Sequence, residues 1–369
     1  MQIGAGSRRQ IPKVGLTMSD SAAVPVGRPF GSGGPTLTDA GEGALLEQLV
    51  DLARTAAGHP PVGSAGDDAA VWTPPAGADV AVTVDALVEG VDFRRSWITP
   101  RQLGRRCFTV AVSDLAGTGA QPVHCVVTLC ARGSERLEDI LEIQRGLCEA
   151  AGAAGCDVIG GDVSAIDGPL VIDVCVSGRL PGGRALRRRD GRAGDALMVT
   201  GVVGRAAAGL RLLIDGAEAV TAMDRAWIDA QLQPQARVRE GIELLARGVR
   251  CGGDISDGLV LDAARTCRAA GCGADLWAES LPVDPELRTR FGDEWLELAC
   301  GGGEDFELLI AVPPAEVDAL VGAWPGDLAQ LSLVGVLREG SGLRVLDRRR
   351  GVELPLPATH ARHFSRSRP

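Results

Sequence analysis

Apolar positions along this chain alternate between two spacings. Leu45, Leu46, Leu49, Val50 and Leu52 recur at helical spacing and predict an amphipathic helix over Leu37–Ala56. After a Gly66-Asp67-Asp68 turn, Val80, Val82 and Val84 alternate with other residues, which predicts a strand over Asp79–Asp85. Thr99 as N-cap and Pro100 in the first position open a predicted helix over Pro100–Leu115. Strand Val123–Leu129, helix Glu135–Ala154 and strands Asp157–Ile159 and Leu170–Gly178 follow. Beyond a stretch rich in Gly and Arg, Leu180–Gly194, the pattern restarts with strand Ala196–Gly201 and helix Val203–Ile214. Helices Gln235–Arg247 and Gly258–Ala270, strands Ala274–Ala278 and Phe306–Val312, helix Pro314–Ala323 and strand Leu331–Leu337 complete the prediction. Such alternation predicts an α/β or α+β sandwich. The Gly- and Arg-rich stretch is the expected domain boundary, giving domains over 36–182 and 183–369.

Residues 1–35 carry Gly, Ser, Pro and Arg with few apolar positions, so a disordered extension is expected there, with no secretory signal. No run approaches the roughly 20 apolar residues a membrane helix needs, and no membrane partner is expected. A formal charge of −10 argues against nucleic acid as a partner, because a phosphate backbone is held by Lys and Arg. The 10 cysteines form no CxxC pair and read as buried thiols of a cytoplasmic protein. Lys13 is the only lysine, which closes off P-loop and Schiff-base chemistry. A bound phosphate would have to be met by metals, arginine or backbone amides.

Six acidic turns stand out: Gly66-Asp67-Asp68, Thr83-Val84-Asp85, Ser113-Asp114, Gly160-Gly161-Asp162, Asp254–Gly258 and Gly301–Asp305. Most are expected where a strand ends or a helix begins. Asp beside Gly is also ordinary turn and cap chemistry, so any one of them is unremarkable alone. Their repetition points to several hard oxygen ligands around Mg²⁺ and phosphate. Both readings stand on pattern alone.

The strings GDDAAV (Gly66–Val71), VDALVEGVDF (Val84–Phe93), SDLAGTGAQP (Ser113–Pro122), IGGD (Ile159–Asp162), LRRRDGRAGD (Leu186–Asp195), VTGVVGRAAAGL (Val199–Leu210), DISDGLVLD (Asp254–Asp262) and GGGEDFELL (Gly301–Leu309) occur in an order that resembles the thiamine-monophosphate kinase family. The resemblance covers residues 40 to 364 and implies a two-domain fold like that of aminoimidazole ribonucleotide synthetase. It further implies a homodimer formed through the N-terminal sheet, a C-terminal α+β domain, and direct phosphoryl transfer from ATP to thiamine monophosphate with several Mg²⁺ ions. Carried over by position, Asp68, Thr83, Asp85, Asp114, Asp162, Asp254 and Asp257 are implied metal ligands. Gly161, Asp162, Arg188 and Ser256 are implied ATP contacts, and Glu304 an implied substrate contact. No general base is implied, because the attacking phosphate oxygen is already anionic.

The pattern breaks at Asp92, where the family has a substrate-contacting His, and at Ala361, where it places an aromatic residue against the thiamine rings. Ala111 and Thr118 replace a usual Asn and Met beside Asp114. Two expectations follow: Asp92 offers an acceptor or charge to the thiamine cation, or the phosphorylated acceptor has changed. A related ATP-dependent enzyme with another acceptor, or a nucleotide-binding paralogue without catalysis, are the competing readings.

Overall fold

The computed structural model describes residues 28–31, 33–56 and 73–359. In chain order its helices are α1 (Leu37–Ala40), α2 (Glu42–Ala56), α3 (Pro100–Thr118), α4 (Leu137–Ala153), α5 (Arg205–Asp215), α6 (Ala222–Leu232), α7 (Val238–Ala246), α8 (Leu259–Ala270), α9 (Pro285–Phe291), α10 (Trp295–Gly301) and α11 (Pro314–Gly322). The strands are β1 (Ala78–Val88), β2 (Gln121–Ala131), β3 (Asp157–Ala165), β4 (Val171–Pro181), β5 (Ala196–Thr200), β6 (Cys251–Ile255), β7 (Gly273–Trp277), β8 (Glu307–Val312), β9 (Leu331–Arg338), β10 (Leu343–Asp347) and β11 (Val352–Leu354).

The first four strands form one sheet in the order β1-β4-β2-β3, and the rest a second sheet in the order β11-β10-β7-β9-β5-β8-β6. Pairing is antiparallel except for β2 with β3 and β7 with β10. One face of the first sheet is closed by helices, burying Ile172, Val174 and Val176 of β4. Its other face is bare: Val80, Val82 and Val84 on β1 are 45%, 65% and 57% exposed, and Val126 on β2 is 38% exposed.

Helix α3 joins the two halves. Thr99 and Gln102 form a capping box at its start, and Gly119 closes it in the left-handed conformation at φ 77°. It packs closely on α4, where a Cβ on Gly104 would fall 1.9 Å from the Ile143 carbonyl oxygen. On its other side a Cβ on Gly241 of α7 would meet the Ala116 oxygen at 2.1 Å. Its buried residues therefore serve both cores.

Several sequence expectations change here. The single helix predicted over 37–56 is two, split at Gly41, whose φ of 75° leaves the helical region. Strand β3 runs on through Gly160, Gly161 and Asp162, so that string is paired strand and not a turn. Thr83 and Asp85 lie within β1, and Ser113 and Asp114 within α3. Helix α6 and strand β6 were not predicted, although α6 opens with a capping box of Thr221 and Asp224. Of the extension to residue 35, the described part is tied to α4: the Gly31 amide donates to Asp139 Oδ2 at 2.9 Å and Arg28 pairs with the same carboxylate.

Candidate functional site

Carboxylates from both halves gather at the joint. Thr83 and Asp85 project from the helix-covered face of β1, and Thr83 Oγ1 donates to Asp114 Oδ2 of α3 at 2.5 Å. One residue earlier on α3, Ser113 Oγ donates to Asp254 Oδ2 of β6 at 2.9 Å. Burial raises the Asp85 carboxyl to about 7, and repulsion from Asp114, Asp254, Asp173 and Asp257 adds to it. Asp254, itself 3% exposed, is raised to about 6 by burial, then by Asp114 and Asp262, against the Ser113 hydroxyl and Arg188. Negative charge here exceeds what the protein neutralises. The potential ligands here are the oxygens of Thr83, Asp85, Asp114, Asp254 and Asp257, the set a hard divalent cation selects. The residues thus fit such an ion in charge and chemistry, although among the described residues no three His, Cys, Asp or Glu side chains already form a cage.

Arg188 borders this group. Its Nη2 reaches Asp254 Oδ1 at 3.2 Å, while its Nε is buried without a hydrogen-bond partner. It can lie across β6 because Gly253 has no side chain: a Cβ there would sit 2.7 Å from Nε. Arg265 of α8 pairs with both Asp257 and Asp262, and the Asp257 amide donates to Asp262 Oδ2 at 3.0 Å.

The two glycine-rich strings interlock. The Glu304 amide donates to the Ser256 carbonyl oxygen at 2.7 Å, and the Phe306 amide to Ile255 at 3.0 Å. Gly258 has φ 101°, and a Cβ on it would approach the Gly302 oxygen to 2.6 Å, so no other residue fits this crossing. Glu304 and Phe306 themselves adopt positive φ, 69° and 50°, which non-glycine residues rarely do. The Glu304 side chain is held by Arg106 of α3 and Gln231 of α6. Asp305 turns away and caps α5, accepting from the Gly204 amide at 2.6 Å and the Ala206 amide at 3.0 Å. Burial pushes its carboxyl up to about 7 despite those donors.

The structure thus brings together Thr83, Asp85, Asp114, Arg188, Asp254, Ser256, Asp257 and Glu304. Gly161 and Asp162 are the exception. Asp162 shares a register row with Thr128 and Asp173, next to the row of Asp85, Val174, Val127 and Gly161. Side chains of adjacent rows point to opposite faces, so Asp162 projects from the bare face. Asp92 accepts a hydrogen bond from the Val88 amide at 2.8 Å and so caps its own turn. Asp68 and Ala361 lie outside the described residues. Sequence reasoning missed Arg106, Gln231, Asp262 and Arg265. The signal for Arg106 was present: Gln102, Arg106, Thr109 and Ser113 place polar groups on one face of α3, and all four are buried.

The chain was compared with known proteins. The family models for AIR synthase related protein match residues 66–180 (N-terminal domain) and 192–348 (C-terminal domain). A thiamine-monophosphate kinase from Synechococcus elongatus is 34% identical over 294 residues, covering 78% of this chain and 86% of the relative. The crystal structure of thiamine-monophosphate kinase from Stenotrophomonas maltophilia superimposes with a TM-score of 0.75 at 31% identity, covering 81% of this chain and 95% of that one. AaThiL complexed with AMPPCP and TMP superimposes with a TM-score of 0.67 at 29% identity, covering 85% and 96%.

Proposed function

Because the chain belongs to the thiamine-monophosphate kinase family, we propose that it transfers the terminal phosphoryl group of ATP directly to the phosphate of thiamine monophosphate, giving thiamine diphosphate and ADP. The observation that carries this reading is the group of Asp85, Asp114, Asp254 and Asp257, drawn from both halves and short of positive charge. Several Mg²⁺ ions on Asp68, Thr83, Asp85, Asp114, Asp254 and Asp257 would supply the charge neutralisation on which phosphoryl transfer depends.

The chain's own residues do the rest. Arg188, whose side chain is one-third exposed, offers its guanidinium to the nucleotide phosphates, and its tie to Asp254 aims it. Ser256 lies in the turn that positions Glu304, so nucleotide and acceptor ends are set by one piece of backbone. Glu304 takes the acceptor, and Asp92 and Ala361, at the family's other substrate positions, are assigned to the same substrate. Gly161 and Asp162, apart from the other carboxylates, are assigned to the nucleotide side rather than to the metal group around Asp85.

We read residues 36–182 and 183–369 as the two domains of a cytoplasmic homodimer joined through the bare valine face of the first sheet, whose exposed apolar side chains support that contact. Among the described residues no helix is long and apolar enough to cross a membrane.

The test is purified protein with ATP and Mg²⁺, with and without thiamine monophosphate, following thiamine diphosphate by fluorescence after oxidation. Product that needs the acceptor and disappears with EDTA is expected. Mg-ATP binding without product would sink the reading.

A further inference from the structure

Arg106 is 2% exposed and among the largest fully buried side chains of the protein. A guanidinium stays charged wherever it is, and burying one is costly unless it is fully paired. Its Nη1 donates to the main-chain oxygen of Gln231. Its Nη2 donates to Glu304 Oε1 at 2.5 Å. Gln231 Nε2 donates to the other oxygen, Glu304 Oε2, also at 2.5 Å. A carboxylate at a positive φ is therefore gripped at both oxygens by groups from α3 and α6, and at its amide by Ser256. Backbone strain maintained by so many independent contacts marks a residue whose placement is functional.

We propose that Arg106 and Gln231 are positioning residues that turn Glu304 from a free counter-charge into an aimed hydrogen-bond acceptor for the amino group on the pyrimidine of thiamine monophosphate. This rests on the function proposed above. A carboxylate has about four acceptor sites, and two are taken, which leaves one on each oxygen for a substrate N–H. The buried charge of Arg106 offsets that of Glu304, so little net charge remains to attract the thiazolium cation. Direction remains, and direction selects for a donor. Gln231 Oε1, on the same amide that grips Glu304, is buried with no hydrogen-bond partner and offers a further acceptor beside it. Its orientation is fixed, because flipping the amide would set oxygen against oxygen at Glu304.

The test compares thiamine monophosphate with oxythiamine monophosphate, in which a carbonyl oxygen replaces the amino group. The wild type should prefer the amino substrate in kcat/KM by about 100-fold or more. Arg106→Met should cut that preference by about tenfold or more while the KM for ATP stays within about twofold, and Arg106→Lys should restore part of it. Gln231→Leu, which leaves the buried charge in place, should cut the preference in the same direction and covers the case in which Arg106→Met fails to fold. Adding Arg106→Met to Glu304→Gln should cost nothing further. Equal losses on both substrates, or losses that add to those of Glu304→Gln, would overturn the proposal. A wild type that uses thiamine monophosphate without preferring the amino group overturns this inference alone. One that makes no product from it overturns the proposed function as well.

Discussion

Asp114 faces solvent near the C-terminal end of α3, and its described partner is the Thr83 hydroxyl. Replacing it by Ala removes little packing, so Asp114→Ala should melt within a few degrees of the wild type yet lose about a thousandfold in turnover. Turnover that survives would count against the metal assignment. Asp85 supplies a second residue-scale prediction. Its folded-state carboxyl titrates at about 7, above the ordinary value of 3.8. Between those values the folded chain holds a proton that the unfolded chain has lost, so this group's contribution to stability falls as pH rises. In EDTA, the melting temperature of Asp85→Asn should decline less than that of the wild type between about pH 5 and 8. Parallel declines would mean that Asp85 is not the group responsible. These carboxylates were legible in the sequence because Asp beside Gly or Ser repeats along it. Arg106 was marked by the polar face of α3, but its pairing was not legible, because its partner Glu304 is 198 residues away.

At the scale of elements, the alternation of strands and helices was readable, and the positions of the acidic strings within them less so. Gly160-Gly161-Asp162 reads as a turn, but continuous pairing with β2 carries the strand through it. A Cβ on Gly161 would meet the Val127 oxygen at 2.1 Å, so here glycine serves close strand packing instead. Tertiary packing outweighed local turn preference. Helix α6 was overlooked for a similar reason, since Trp227, Ile228, Gln231 and Leu232 are buried by contact with the rest of the fold, not by a strong stripe of their own. The close seat of α7 on α3 gives a prediction at this scale. Gly241→Ala would drive a methyl group into the Ala116 carbonyl, and should destabilise the protein by about 1–3 kcal/mol in denaturant titration. An unchanged midpoint would show that the two helices can part without cost.

For the molecule as a whole, the ordered motif strings pointed to both domains before any strand was placed, and the family models fall on the same stretches. Partner geometry is less legible, because strand alternation in β1 says only that one face carries valines, not which face the helices leave bare. If that face joins two copies, Val82→Arg should convert a dimer into a monomer in size-exclusion chromatography with light scattering, as Val82 is the most exposed of the three β1 valines at 65%. A wild type that already runs as a monomer would remove the dimer from the proposal.

Helix α3 has one further effect, on how the protein comes apart. It contributes buried side chains to both sheets' cores, so neither half owns a complete interior. Heat cannot release one half without stripping a side of that helix and weakening the other. Calorimetry should therefore record a single cooperative peak, where a chain of two self-sufficient halves would show a pair.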